Sequence, residues 1–399
     1  MNDKTTTLID ETGSERHFTF DYSFWSHDEF ENAPNGLSIP LSPKYADQQN
    51  LFDTVGKTVL QNAVDGYHCC LFAYGQTGSG KSYSMIGYGA NRGIVPMISE
   101  EIFKTVQSEP NPKKSYEVTV SMIEIYNEKI QDLLIPINKR PLGGLKVRES
   151  KSVGVYVEDL SKHPVNSYSS IEAKMAEGNQ NRTIAATQMN SCSSRAHTII
   201  TIEFKQFEMI NDKKVERFSV INLVDLAGSE KVAKSGATGD RLKEGCSINK
   251  SLSVLGLVIS TLAEKSTVKN CTKVVPYRDS ALTRILQNAL GGNSKTLMIC
   301  AISPSSNNYE ESLSTLRYAD QAKKIKLHAI VNESETDKKI RELQKENEEL
   351  KKLLMQIRGG NVSTLDNVST LANLPEMSRV NVGRDPRQEE EEEPSTDGI

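Results

Sequence analysis

The stretch Gly75-Gln76-Thr77-Gly78-Ser79-Gly80-Lys81-Ser82 decides the fold of this chain. It matches G-x-x-x-x-G-K-[ST], a loop whose backbone N–H groups wrap the phosphates of a nucleotide. The apolar run before it, 69–74, predicts a buried strand, and 82–85 can begin a helix whose N-terminus favours an anion. A chance glycine-rich turn is disfavoured, because such a turn rarely falls between a strand and a helix. The sequence therefore predicts a phosphate-binding loop in which Lys81 reaches the β- and γ-phosphates and the Ser82 hydroxyl ligates Mg²⁺.

Two further motifs can serve the same site. The β-branched run 218–224 ends in Asp225-Leu226-Ala227-Gly228-Ser229-Glu230, and an acidic residue at the end of a buried strand is where P-loop enzymes hold Mg²⁺. Asp-x-x-Gly alone would indicate an ordinary strand-to-turn junction, so this motif gains its meaning from the P-loop. The segment Asn190-Ser191-Cys192-Ser193-Ser194-Arg195-Ala196-His197 carries adjacent hydroxyls and an arginine, which suit metal ligation and charge pairing, although its composition alone indicates a polar loop.

In the order in which they occur, these motifs resemble those of the kinesin motor domain. The resemblance covers about residues 17 to 330 and rests on five ordered motifs: FAYGQTGSGKS (72–82), NSCSSRAH (190–197), DLAGSE (225–230), VPYRDSALTR (275–284) and STLRYAD (314–320). Two more pieces are similar to the third kinesin family, the vesicle transporters: FDYSFWSH (20–27) and YVEDLS (156–161).

The resemblance implies an α/β fold, a P-loop NTPase sandwich with a mostly parallel central sheet flanked by helices on both faces. It also implies that the chain binds ATP with Mg²⁺. The nucleotide would be held by the P-loop residues 75–82 and by Tyr83, which matches the position whose ring stacks on the adenine. The metal would be held by Ser82 and Ser194, with Asp225 behind a water.

The same resemblance assigns catalytic roles to Ser193, Arg195, Gly228 and Glu230. Arg195 and Glu230 would form an ion pair when the two loops close, and that pair, with Ser193, would order the attacking water. Gly228 would couple the γ-phosphate to a helix that begins near Lys243. Loss of the phosphate would then release the loops, an order–disorder switch.

Two departures from the family pattern bear on function. Kinesins begin with a strand that ends in Arg-x-Arg-Pro and clasps the adenine, whereas here 5–9 resembles the strand that follows it, and no Arg-x-Arg-Pro occurs elsewhere. We expect the absence of that strand to leave neighbouring strand edges unpaired and part of the core uncovered. Ala196 stands where most kinesins have a serine that belongs to the switch network.

Composition agrees with a large cytoplasmic domain. The 399 residues, 37% of them hydrophobic, can fill a core, and the net charge of −4 means that an acidic partner must be met by local basic patches. The six cysteines lack the C-x-x-C spacing of a metal site, which favours buried reduced thiols. We find no signal peptide and no apolar run near about 18 residues, so the sequence predicts no membrane insertion.

Patterns along the chain predict the following elements: strands over 116–126, 198–207, 215–224 and 296–302, a turn at Asn211-Asp212 and a helix over 248–262. The apolar stripe of that helix, which includes Leu252, Leu255 and Ile259, is expected to face the core.

The chain divides into four predicted segments: a motor domain over 1–322 that lacks the first strand, a neck linker over 323–337, a neck coiled coil over 338–358 and a disordered acidic tail over 359–399. Heptad positions a and d fall on Ile340, Leu343, Asn347, Leu350, Leu354 and Ile357. About three heptads favour a homodimer, with Asn347 setting the register, while a single surface helix is the alternative.

A local excess of basic residues predicts the partner. The segment 265–295 contains six Lys or Arg residues and one acidic residue, Asp279. This excess of positive charge suits binding to an acidic surface such as the microtubule. The predicted contact residues are Lys273, Tyr277, Arg278 and Arg284. Nucleic acid is disfavoured as a partner, because no basic stripe with interleaved aromatic residues occurs.

These features and the kinesin resemblance predict an ATP-driven microtubule motor of the cytoplasm and cytoskeleton, a microtubule-stimulated ATPase. The resemblance alone implies movement toward the plus end. The missing strand and Ala196 motivate an alternative, a nucleotide-impaired protein that binds microtubules and interacts through its coiled coil.

Overall fold

A computed structural model describes residues 1, 3–151, 154–189, 193–210, 213–230, 240–269 and 271–359, without the side chains of 185–189, 193, 240–249, 335 and 355–359. The chain forms two compact units, Met1–Ile340 and Arg341–Ile399. The predicted turn at Asn211-Asp212 and most of the tail over 359–399 lie outside the described residues.

The strands of the described residues form one seven-stranded sheet and four two-stranded sheets. They are β1 (Thr5–Ile9), β2 (Glu15–Thr19), β3 (Phe30–Asn32), β4 (Ser38–Pro40), β5 (Cys69–Tyr74), β6 (Gly87–Tyr88), β7 (Asn91–Arg92), β8 (Lys114–Tyr126), β9 (Lys129–Asp132), β10 (Val147–Ser150), β11 (Gly154–Val157), β12 (His163–Val165), β13 (His197–Ile210), β14 (Lys213–Asp225) and β15 (Lys295–Cys300).

The helices range from one turn to seven. They are α1 (Gln48–Leu51), which continues through a π-helical turn (Phe52–Gly56) into α2 (Lys57–Val64), α3 (Lys81–Met85), α4 (Ile94–Ser108), α5 (Tyr168–Met189), α6 (Asp240–Thr267), α7 (Ala281–Ile285), α8 (Gln287–Gly291), α9 (Tyr309–Ala322) and α10 (Glu335–Gly359). The strands predicted over 116–126, 198–207 and 215–224 and the helix over 248–262 are confirmed as parts of β8, β13, β14 and α6. The strand predicted over 296–302 corresponds to β15, which ends at Cys300.

One mixed sheet organises the Met1–Ile340 unit. Its order is β12-β8-β13-β14-β5-β15, and β9 pairs with β8. The strand β5 is parallel to β14 and to β15, whereas every other pairing in this sheet is antiparallel. The α/β sandwich is confirmed, but the description "mostly parallel" was wrong. The reason is local, because only two residues separate β13 from β14 in the chain, and consecutive strands with so short a connection must run antiparallel.

Apolar side chains fill both faces of the sheet. Along β5, Cys69, Leu71 and Ala73 point into a core shared with α2, α4 and α5. The alternate residues Cys70, Phe72 and Tyr74 point into a second core shared with α6, α7 and α8. A strand buried on both faces needs apolar residues at every position, which explains the unbroken run 69–74. Cys69 and Cys300 are free cysteines, as the prediction of reduced thiols requires. Burial raises the pKa of each thiol to about 12.

The edge of the sheet at β15 is open. Among the described strands, β15 has a partner on one side only, β5, and each of its residues is half-buried. A cavity of about 560 Å³ lies beside it. Its lining includes Phe20, Phe24, Leu51, Met298 and Leu316. The absence of the family's first strand, which would leave such an edge unpaired, stays a prediction.

The segment after α9 returns along the sheet before α10 begins. The Ile330 N–H donates to Asn293 Oδ1 at 2.7 Å. Asn332 is held most firmly, since its N–H donates to the Gly66 carbonyl at 2.9 Å and its own carbonyl accepts from the Phe218 N–H at 3.0 Å. The predicted neck linker over 323–337 therefore contacts the motor unit, and its role stays a prediction.

The helix α10 begins at Glu335, close to the predicted start of the coiled coil. The apolar side chains Leu343, Leu350, Leu353 and Leu354 on it are exposed. Within the described part of the chain, no helix has the length and apolar character needed to cross a membrane.

Candidate nucleotide site

The P-loop joins β5 to α3 through glycines that adopt conformations other residues avoid. Gly75 has φ +149°, and a Cβ there would collide with the Ala301 carbonyl of the chain after β15. Gly80 has φ +103° and immediately precedes the first residue of α3. The loop can therefore close tightly over the end of the sheet, with the α3 N-terminus behind it, which is the arrangement that binds phosphate.

Lys81 is buried, only 7% exposed, and its Nζ donates to the Gln76 carbonyl at 2.8 Å across the loop. Burial lowers the pKa of Lys81, while the carboxylates of Asp225 and Glu230 act in the opposite direction. The ammonium is thus held inside the loop with two acidic groups near it, where an anionic phosphate would relieve its desolvation.

Ser82 and Asp225 meet at the end of β14, as the sequence predicted. The Ser82 hydroxyl donates to Asp225 Oδ2 at 2.5 Å. The other oxygen, Oδ1, is buried and has no hydrogen-bond partner among the described residues. Burial raises the pKa of Asp225, against the Ser82 hydrogen bond and the positive charges of Lys81 and Arg182. A hydroxyl beside an unsatisfied carboxylate oxygen fits a hard cation such as Mg²⁺, which prefers oxygen ligands.

Backbone hydrogen bonds connect the three predicted motifs. The Gly228 N–H donates to the Ser194 carbonyl at 2.9 Å, and the Ser229 N–H donates to the Gly75 carbonyl at 3.1 Å. The N–H of Gly228, which we expected to sense a γ-phosphate, is thus bound to the Ser194 loop in this structure. Ser193, Ser194 and Arg195 form one turn of 3-10 helix directly before β13, and the Ser193 side chain lies outside the described residues.

Glu230 lies on the P-loop. Its Oε2 accepts from the Thr77 N–H at 2.8 Å, and its Oε1 accepts from the Thr77 hydroxyl at 2.5 Å. The carboxylate also lies so close to Gly228 that a Cβ at that position would collide with it. The predicted ion pair between Arg195 and Glu230 stays a prediction.

Tyr83 is half-buried at the start of the helix after the loop. Its ring lies 6.1 Å from that of Tyr88 at a tilt of 35°. Its backbone carbonyl accepts a hydrogen bond from Gln48 at 2.6 Å. Burial raises the pKa of Tyr83, the Tyr45 side chain acts in the same direction, and the Ser38 side chain acts in the opposite direction. The stacking of Tyr83 on an adenine stays a prediction.

Sequence reasoning missed His197 and its partner Ser251. The Ala227 N–H donates to His197 Nδ1 at 3.0 Å, and Nε2 lies 2.7 Å from the Ser251 hydroxyl on α6. The motif NSCSSRAH contained His197, but 54 residues separate it from Ser251, and no sequence pattern connects them. A second missed contact is the stack of Tyr74 on Tyr318 of α9, with centroids 4.2 Å apart, which places α9 against the residue before the P-loop.

The residues predicted to contact a microtubule differ in exposure. Lys273 and Arg278 are exposed and pair with Glu264 at 2.7 Å and with Glu149 at 2.9 Å. Tyr277 is half-buried against the second core. Arg284 is partly buried on α7, and its Nε has no hydrogen-bond partner among the described residues. The first two are thus available to a partner, and all four roles stay predictions.

Comparisons with known proteins place the chain in a family. The kinesin motor domain family matches residues 1–325. Kinesin-related protein 1 of Dictyostelium discoideum is 55% identical over 86% of this chain, and the Homo sapiens kinesin-like protein KIF13B is 50% identical over 86%. The chain spans 15% and 18% of the length of these two relatives.

Solved structures agree with this assignment. A KIF14 dimer in a two-heads-bound state, with AMP-PNP and in complex with a microtubule, is 43% identical with a TM-score of 0.76, covering 86% of this chain and 92% of that one. A fast kinesin is 41% identical with a TM-score of 0.71, covering 84% of this chain and 87% of that one. These matches do not favour a nucleotide-impaired interaction protein. The motifs, the mixed sheet with its P-loop and the matches over residues 1–325 show that this chain belongs to the kinesin motor domain family.

Proposed function

We propose that this chain hydrolyses ATP in a microtubule-stimulated reaction and converts the cycle into movement along microtubules, toward the plus end. The observation that carries the proposal is one cluster: Lys81 inside the P-loop, Ser82 bonded to Asp225, and the Ser194 and Glu230 loops attached to that cluster. Phosphoryl transfer needs positioning and charge neutralisation more than covalent chemistry, and these groups supply both.

The chain's own residues perform distinct tasks in this proposal. The P-loop N–H groups and Lys81 bind the phosphates, and Tyr83 binds the base. When Mg²⁺ is bound by Ser82 and Ser194, with Asp225 behind a water, it neutralises charge on the β- and γ-phosphates. Arg195 and Glu230 pair as the loops close and, with Ser193, orient the attacking water.

Two contacts, which together comprise three hydrogen bonds, must change for that closed state to form. Glu230 leaves Thr77, whose N–H then becomes available to a phosphate oxygen. The Gly228 N–H leaves the Ser194 carbonyl and turns toward the γ-phosphate. Both exchanges replace a protein anion or carbonyl with a phosphate oxygen, so nucleotide binding can drive them without leaving either N–H unpaired.

The predicted neck and track contacts complete the motor. The segment 323–337 acts as a neck linker that docks through Asn332 and Ile330. Exposed Lys273 and Arg278, with Tyr277 and Arg284 near them, bind the acidic microtubule surface. The helix over 338–358 joins two copies as a homodimer. In a cell the motor would act in the cytoplasm on the microtubule cytoskeleton, without inserting into a membrane or binding nucleic acid.

A gliding assay tests the proposal directly. The full chain is attached to a surface with ATP, Mg²⁺ and polarity-marked microtubules, and filament movement is recorded together with phosphate release. We expect microtubules to raise the rate of phosphate release and filaments to glide with their minus ends leading. Microtubules that bind but neither glide nor raise phosphate release would support the nucleotide-impaired alternative.

A further inference from the structure

The imidazole of His197 joins three elements in the interior of the motor unit. The residue is the first of β13, is 2% exposed, and follows the 3-10 turn Ser193–Arg195. Its Nδ1 accepts from the Ala227 N–H at 3.0 Å, and its Nε2 lies 2.7 Å from the hydroxyl of Ser251, which is also 2% exposed. One rigid ring thus spans the distance between the Asp225–Glu230 loop and α6.

The hydrogen-bond partners fix the protonation of this ring. A backbone N–H can only donate, so Nδ1 must be the acceptor and the ring proton must lie on Nε2, from where it donates to Ser251. In an imidazolium, Nδ1 would also carry a proton, and this N–H would point at the N–H of Ala227. Burial and the charge of Lys81 lower the pKa of His197 to about 3, in agreement with a neutral ring.

The two nitrogens of the ring contact different segments: Nδ1 contacts the Asp225–Glu230 loop, and Nε2 contacts α6. Ala227 is adjacent to Gly228, so the successive N–H groups of the loop are held by His197 and by the Ser194 carbonyl. Ser251 is followed on α6 by Leu252 and Leu255, which pack in the same core as Leu226. A rotation of the loop at Gly228 must therefore displace the ring or break one of its hydrogen bonds.

We propose that His197 is a positioning residue that transmits the position of the Gly228 loop to α6, the helix whose Glu264 pairs at 2.7 Å with Lys273, one of the residues predicted to contact a microtubule. The inference rests on the proposed function and adds to it the hydrogen bonds that join the Gly228 loop to α6. Histidine suits this role because its ring has an acceptor nitrogen on one side and a donor nitrogen on the other. The side-chain amide of Asn or Gln can keep only one of the two hydrogen bonds.

Substitutions can separate the two hydrogen bonds. Ser251→Ala removes the acceptor on α6 and leaves the ring on the loop, while Ser251→Thr retains a hydroxyl and should restore function. His197→Asn can keep the contact with Ala227, and His197→Gln can keep the contact with Ser251. The matched control is Ser260→Ala on the same helix, because the Ser260 side chain is exposed and its hydroxyl donates to the Leu257 carbonyl of its own helix.

The decisive readout is the ratio of microtubule affinity with AMP-PNP to that with ADP, measured on the full chain by co-sedimentation. We expect Ser251→Ala to lower this ratio about fivefold, the value of one ordinary hydrogen bond, with ATP turnover in the absence of microtubules within about twofold of the parent. Ser251→Thr and Ser260→Ala should keep the parent ratio. A parent-like ratio in Ser251→Ala, or an equal loss in Ser260→Ala, would show that the ring does not carry the signal.

A second readout does not depend on microtubules. In the chain labelled with ¹⁵N-histidine, the His197 signals are identified by their loss in His197→Gln and should show the neutral ring with its proton on Nε2. We expect these signals to differ between the ADP and AMP-PNP complexes, and Ser251→Ala to reduce the difference. If the parent chain shows no nucleotide-dependent microtubule binding, the proposed function fails while this spectrum still decides the connection. Signals that are the same with both nucleotides would overturn it.

Discussion

Thr77 holds the Glu230 carboxylate on the P-loop, through its N–H at 2.8 Å and its hydroxyl at 2.5 Å. A carboxylate in this position competes with nucleotide phosphate for the same backbone donor. Substitution Glu230→Ala frees the Thr77 N–H, so we expect ATP to bind at least as tightly as in the parent. Turnover should fall about a hundredfold or more, because the water-ordering pair with Arg195 is lost. Nucleotide binding by fluorescence and phosphate release in single turnover separate the two effects.

Exposed Glu31→Ala is the matched control for that substitution and should change neither quantity. Thr77→Val removes the hydroxyl while keeping the N–H, so it tests whether the second hydrogen bond matters to nucleotide affinity. Normal turnover in Glu230→Ala would contradict the role assigned to Glu230.

Lys81→Ala should abolish hydrolysis. In the parent the ammonium is buried and bonded to the Gln76 carbonyl, so it is already positioned inside the loop when the phosphates enter. Loss of a charged hydrogen bond weakens nucleotide binding about tenfold to a hundredfold, and the loss of charge neutralisation stops the chemical step. Phosphate release with and without microtubules measures the effect. Lys57→Ala, which removes an exposed ion pair with Asp53, is the control and should hydrolyse ATP normally.

Asp225→Asn tests the proposed metal site. Asn keeps a hydrogen-bond partner for Ser82 but removes the negative charge next to which Mg²⁺ would lie. We expect ADP affinity in excess Mg²⁺ to fall about tenfold, and affinity in excess chelator to stay the same. The control is Asp53→Asn, which removes the negative charge of an exposed side chain. Equal affinity losses in both conditions would mean that Asp225 acts on the loop rather than through a metal.

How much the sequence could predict depended on the range of the interaction. The strand over 69–74, the P-loop and the start of α3 are encoded by adjacent residues, and the contact of Ser82 with Asp225 followed because β5 and β14 end at the same edge of the sheet. The antiparallel pairing of β13 with β14 follows from the two residues that separate them, whereas the antiparallel pairing of β8 with β13 joins strands that are far apart in the chain. Neither Glu230 on Thr77 nor His197 on Ser251 could be predicted, because polar contacts between distant segments depend on how the intervening elements pack.

The buried His197 should make the fold sensitive to acid. Burial lowers the pKa of this ring from 6.5 to about 3, so between these values the unfolded chain binds a proton that the folded chain excludes. Stability therefore falls as pH decreases through this window, by up to about 1.4 kcal/mol per pH unit from this residue. Urea unfolding of the parent and of His197→Gln at two pH values in the window measures the slope. His197→Gln should be less stable than the parent near neutral pH but should lose less stability on acidification. His17→Gln, at an exposed position, should keep the parent slope.

The last prediction concerns association through α10. Leu350 is an a/d position of the predicted coiled coil and Leu353 is not, yet both side chains are about half exposed in the single chain. If two copies pair along the heptad seam, Leu350→Gln removes a buried contact from each, whereas Leu353→Gln changes a position at its flank. We expect sedimentation velocity of the full chain to show a dimer that Leu350→Gln shifts to monomer at the same concentration. Leu353→Gln should leave most of the dimer intact, and equal effects of the two substitutions would favour an association that does not follow the heptads.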